Sequence, residues 1–236
     1  MYQRSVRAAA VFAVVTSALA ADTPDVGLSV PKPFATEVSV KHYRMGQDLL
    51  HDPTFHLITV APLTEYHGWF GPRAVDQGHI HGWTVHVFAR YSPKVAAAVA
   101  AAKDGYEADL NIEPEFFDVN ERSYMFARFE RKHFRWGDAV SFFSQSTQDT
   151  GVYVPHNGHL TYEVWGTTRD RKYTVVASVG VRHPKLAEWG PDVRDARSLR
   201  ALKRDRDYKL VERCSPDEFE PALTAFDKML ETLVIR

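Results

Sequence analysis

Two runs of alternating apolar residues, LTYEVW (160–165) and YTVVASVGV (173–181), are separated by little more than the polar stretch TTRDRK (167–172). A connection that short joins strands only as an antiparallel hairpin, because parallel neighbours need a crossover of about a dozen residues or more. Side chains alternate along a strand. Leu160, Tyr162 and Val164 therefore share one face of the first arm, and Tyr173, Val175, Ala177, Val179 and Val181 share one face of the second. The chain is thus expected to build an antiparallel sheet whose apolar face needs cover. Further β-rich runs are FHLITV (55–60), 80–91, 116–119, 122–135 and 139–147, with Trp136-Gly137-Asp138 as a turn between the last two.

The cover is expected from helices. Ser92-Pro93 supplies a cap and a first-turn proline, Gly105 follows the end, and Val95, Val99 and Ala102 fall on one helical face. At the other end, Ser215-Pro-Asp-Glu218 has capping-box spacing. Phe219, Leu223, Phe226, Leu230 and Leu233 then recur at steps of four and three, the stripe of a buried helix. Pro221 leaves two starts open: after a single turn at the proline, or at the box with Pro221 strained inside the helix. Residues 195–204 read as a short charged helix and 208–211 as a last edge strand. The expected class is α+β, an antiparallel sheet sandwiched by helices.

The N-terminus reads as an export signal. Arg4 and Arg7 precede a short apolar run (8–19), and Ala18-Leu19-Ala20 is an A-x-A site, so cleavage is expected after Ala20. The run is too short to span a bilayer. Residues 21–35, with Pro24 and Pro31-Lys-Pro33, read as an extended linker, and 36–236 as one domain. The whole chain has 236 residues, 44% hydrophobic and 25% charged, a composition ordinary for a globular domain with a real core. Loss of 1–20 removes two of the 29 Lys+Arg and none of the 30 Asp+Glu, leaving a formal charge of −3. That balance excludes the electrostatic footprint of a nucleic-acid binder. The expected product is soluble and extracytoplasmic, secreted or periplasmic. Cys214 is the single cysteine, so no internal disulfide forms, and it reads as a small buried side chain.

HIHGWTVH (79–86) is the segment with the most chemistry. On a strand His79 and His81 share a face and His86 points to the other, so the segment offers an H-x-H half-site for zinc. A third ligand would come from His67, with Asp76 and His56 as alternatives. The competing reading is a pair of partly exposed imidazoles in a chain with eleven histidines. Tyr66, Trp69, Phe70 and Trp83 either line a pocket beside those histidines or cap the core. Glu113, Glu115 and Asp118 form an acidic loop cluster. Pro155-His-Asn-Gly-His159 reads as a turn, and the alternating charges of 194–209 as a solvated face. No G-x-S-x-G, H-E-x-x-H or phosphate-binding glycine loop is present, so no catalytic residue and no resident cofactor is assigned.

The strand ending at Pro62, the antiparallel meander, the pair Tyr162-x-Val164 and Tyr173-x-Val175-x-Ala177, and the terminal FDKMLETLVI (226–235) together resemble the PsbP-like superfamily. Its members include the extrinsic lumenal subunit of photosystem II, exported bacterial relatives and a Ran-binding transport factor. The resemblance spans about residues 55–235 and is one of pattern. Pro62 lacks the nearby tryptophan common in the family and 63–78 looks inserted, so no functional residue is carried over. The resemblance implies an α/β/α layering and a non-enzymatic binding or accessory role toward a protein or small ligand. The alternative is a zinc-dependent hydrolase built on His79 and His81.

Overall fold

The computed structural model describes residues 11–14, 26–30, 37–43, 55–61, 83–102, 122–147, 152–188 and 194–236. Its centre is the hairpin of β8 (Leu160–Thr168) and β9 (Thr174–Gly180), paired antiparallel from Thr161↔Gly180 to Thr167↔Thr174. On one side follow β7 (Gly137–Thr147) and β6 (Arg122–His133). On the other follow β5 (Trp83–Phe88), β4 (Phe55–Ala61) and β3 (Glu37–Tyr43). The order is β3-β4-β5-β9-β8-β7-β6, and every neighbouring pair is antiparallel. A smaller antiparallel sheet has the order β1-β2-β10, from β1 (Val11–Val14), β2 (Val26–Val30) and β10 (Val234–Ile235). Within the stretch read as a linker, then, Val26–Val30 is extended but also paired, and Val26 and Leu28 are buried in the main core.

The large sheet is covered on both faces, so the chain is α+β with an antiparallel sheet between helices. Helix α1 (Pro93–Ala101) starts at Ser92, whose hydroxyl accepts from the Val95 N–H, and buries Val95, Val99 and Ala102 against Phe88, Phe142, Trp165 and Val176. The opposite face buries Val85, Val87, Phe143, Tyr162, Val164 and Ala177. Over it lie α3 (Arg206–Arg213) and α4 (Leu223–Leu230), preceded by the short α2 (Leu199–Leu202). All five members of the C-terminal stripe are buried, but only Leu223, Phe226 and Leu230 lie in α4; Phe219 follows the preceding 3-10 turn and Leu233 follows the helix. Of the two starts left open, the helix begins after a single turn and Pro221 is not inside it, although the capping box also forms. The Ser215–Glu218 capping box closes a single 3-10 turn, Pro216–Glu218, and α4 begins only after the cis Glu220–Pro221 bond.

Two expectations are corrected. Residues 208–211 are not an edge strand; they lie in α3. Asp205 caps that helix by accepting from the Asp207 N–H, and the buried positions, Asp207 and Val211, are four apart, a helical and not a strand period. The helix expected over 195–204 is only one turn, α2. Asp195 instead bridges Tyr153, and its carboxylate accepts from the Arg197 N–H.

One irregularity in the sheet positions α3. The β6–β7 register shifts between Ala127 and Glu130, and within that bulge Arg128 adopts φ 55°. A bulge frees backbone from the ladder and re-aims it. Here the Arg128 N–H donates to Glu212 Oε1 at 2.7 Å and its guanidinium donates to the Cys214 carbonyl at 2.6 Å. Tyr208 adds a hydroxyl bond to the Phe126 carbonyl at 3.0 Å. The helix is therefore clamped to the sheet along its inner side.

Candidate functional site

With its inner side fixed, α3 presents Arg206, Lys209, Leu210 and Arg213 at i, i+3, i+4 and i+7, a single helical stripe. That stripe forms one wall of a cleft of about 550 Å³, a volume within the range of ligand sites. Lys185, from the chain after β9, and Glu218, from the 3-10 turn, line it as well, with Cys214 between. Four of the lining side chains are cationic and one is acidic.

The acids near this stripe are already engaged. Asp207 is 3% exposed and accepts from Arg194 at 2.6 Å and from Arg206 at 2.9 Å. Asp205 caps the helix and also pairs Arg194. Glu218 Oε1 accepts from the Ser215 N–H at 2.8 Å, and its Oε2 lies 3.8 Å from His183 Nε2 and 3.9 Å from Lys185 Nζ. Among the described residues no carboxylate pairs Lys209 or Arg213. Burial raises the pKa of the Cys214 thiol, which is the wrong direction for a thiolate nucleophile.

Other polar groups are committed to structure. Tyr162 donates to Asp227 Oδ1 at 3.1 Å, and Lys132 lies 3.0 Å from both Asp227 and Glu130, tying α4 to β6 and β8. Burial raises the pKa of Asp227, and Lys132 opposes that shift. On the α1 face Glu163 accepts from the Ser144 hydroxyl and, at 2.7 Å, from the Trp165 indole. The 155–159 segment is a turn. In it His156 is fully buried and Asn157 3% exposed, and the Asn157 carboxamide bonds to the His183 N–H and carbonyl and to the Leu186 carbonyl.

Of the residues singled out in the sequence, His67, His79, His81, Tyr66, Trp69 and Phe70 lie outside the described residues, as do Asp76, Glu113, Glu115 and Asp118. Trp83 opens β5 opposite Val60, and His56 sits in β4 opposite Val87. His86 is on β5 with Phe88 on the α1 face, its ring 5.7 Å from Phe88, and burial lowers its pKa to about 4. Among the described residues no group of three His, Cys, Asp or Glu side chains is placed to hold a metal ion, and no helix is long and apolar enough to cross a membrane.

The cleft residues escaped the sequence reading, although a signal was there. RDYKLVER (206–213) spaces its bases at three and four, but reading 208–211 as a strand dissolves that stripe. Counting Asp207 as a solvated acid, when it is buried, also neutralises the stripe. Neither family models, nor curated proteins, nor solved structures give a match to this chain.

Proposed function

We propose that this chain is a non-enzymatic binding or accessory domain that engages its partner through the cleft along α3. The observation that carries this reading is the cationic stripe itself. A rigidly clamped helix holds Lys209 and Arg213 without acidic partners among the described residues, beside a concave surface of ligand size. A second line of support is that the Asp227, Glu163 and Asn157 side chains are spent on holding elements together. Export after cleavage at Ala20 and membership of the PsbP-like superfamily belong to the same proposal. They rest on the sequence pattern alone.

The test is site-specific photo-crosslinking in the native host, with a photoreactive residue at position 209 on α3 or at position 94 on α1. Adducts with a discrete partner are expected from 209 and not from 94, because the two helices lie on opposite faces of the sheet. Equal yields from both positions, or none from 209, sink the proposal.

A further inference from the structure

The charge pattern of the cleft narrows the chemistry of what it binds. Along a helix, residues three and four apart are separated by about 4.5 and 6 Å of rise, so Arg206, Lys209 and Arg213 form a row about 10 Å long. An extended peptide places alternate side chains on one side about 6.6 Å apart. The two spacings are close enough for flexible Lys and Arg side chains to take up the difference. Leu210, half-buried within the stripe, offers apolar contact between the charges.

Other anions fit less well. A small phosphate is held by donors that converge, often at a free helix N-terminus. Here the N-terminus of α3 is closed by Asp205, and the cations stand in a row along the helix. A nucleic acid is disfavoured by the chain's overall balance of 29 bases to 30 acids. A row of cations beside a partly apolar floor is complementary to alternating carboxylates on an extended strand.

We propose that the α3 cleft receives an extended acidic peptide segment of another protein, its carboxylates meeting Lys209 and Arg213, with Arg206 and Lys185, each also beside an acid of this chain, lining the same cleft. This deepens the binding reading above and rests on it. Glu218 sets the limit of the charge row. Its carboxylate accepts from the Ser215 N–H and lies 3.9 Å from Lys185 Nζ, so an incoming acid meets a partly compensated group rather than a bare one.

The test uses the full chain and fluorescein-labelled hexaglutamate, read by fluorescence anisotropy. Saturable binding is expected at low ionic strength, weakening as salt screens the charges. Lys209→Glu with Arg213→Glu should weaken it about tenfold or more, as reversing rim charges does. Lys94→Glu on α1 should leave it unchanged, and labelled hexaglutamine should not bind. If the double reversal lowers the thermal midpoint, Lys209→Gln with Arg213→Gln replaces it, and a several-fold weakening is expected. Absence of hexaglutamate binding overturns the inference. So does equal binding by the cleft variants and Lys94→Glu, or full displacement by inorganic phosphate at the peptide's own concentration. If hexaglutamate fails while crosslinks at position 209 persist, the acidic-segment inference falls alone. If both fail, the binding reading falls with it.

Discussion

The carboxamide of Asn157 holds two stretches of chain together. Its oxygen accepts from the His183 N–H at 2.8 Å, and its nitrogen lies 3.2 Å from the His183 and Leu186 carbonyls and 3.1 Å from Glu188 Oε1. Asn157→Ala leaves those buried backbone groups unmatched, so a loss of about 2–4 kcal/mol is expected from chemical denaturation. The sequence marked 157–158 as a turn, from Asn-Gly, but nothing in it says that the side chain reaches residues 26 or more positions away. Beside it, burial, with the charge of His159 second, lowers the pKa of His156 to about 4. In the unfolded chain the same imidazole titrates near 6.5, so the unfolded state binds more protons between those values. The stabilisation is full above about pH 6.5 and is lost as pH falls toward 4. His86, also held at about 4, contributes in the same direction. Asp227 opposes them: its raised pKa costs stability as pH climbs from 3.8 through the folded value. A falling melting temperature from pH 7 to 4.5 is expected. His156→Gln should reduce the fall in unfolding free energy over the same pH range by about 2–3 kcal/mol, read from urea unfolding at each pH; an unchanged fall would overturn the lowered pKa.

Elements were legible in proportion to how far their burial follows their own period. The stripe Phe219–Leu223–Phe226–Leu230–Leu233 announced the buried segment that holds α4 because each member is an unambiguous apolar residue at most 3% exposed, though Phe219 and Leu233 lie beyond the helix ends. Phe226 sits under Tyr162 at 6.0 Å with no exposure. Phe226→Ala should therefore destabilise by about 3–5 kcal/mol in urea unfolding. Helix α3 was illegible for the converse reason. One of its two buried positions is Asp207, made tolerable by Arg194 and Arg206, and no hydropathy pattern counts an aspartate as core. The close approach at the β7–β8 pairing was equally hidden. A Cβ on Gly166 would lie 2.6 Å from the Asp138 carbonyl oxygen and 2.8 Å from the Trp136 ring. That ring is fixed by its indole bond to the Leu230 carbonyl at 3.0 Å and by stacking on Phe134. Gly166→Ala should cost about 1–3 kcal/mol and perturb the tryptophan fluorescence. A melt identical to the parent's would mean that both the Asp138 backbone and the Trp136 ring give way freely.

For the whole molecule, the hairpin settled the antiparallel class, because loop length alone forbids the alternative. What covers each face was only partly written in the chain. Alternation on β8 and β9 marks one apolar face, yet Trp165 and Val176 fill the other as well. The site read from the sequence at 66–83 lies almost wholly outside the described residues, and the α3 cleft was not read beside it. Histidines and aromatics attract attention at 66–83, whereas a cationic stripe becomes visible only once Asp207 is known to be buried and Asp205 and Glu218 to be engaged within the chain. The two sites make opposed forecasts. A non-enzymatic domain should carry well below one equivalent of zinc on elemental analysis. About one equivalent, lost in His79→Ala with His81→Ala, would favour the hydrolase instead. The layered arrangement makes a further forecast. Because β8 sends Tyr162 and Val164 into the core under α3 and α4, and Trp165 into the core under α1, neither layer can melt without disturbing the strand both share. A single cooperative transition is expected, with tryptophan fluorescence and far-ultraviolet circular dichroism coinciding. Trp165→Ala, though on the face opposite the cleft, should lower that common midpoint, and hexaglutamate binding should vanish at the same denaturant concentration. Binding that outlasts the fluorescence change would mean that α3 and its sheet contacts fold without the α1 layer, and that the cleft belongs to a smaller cooperative unit.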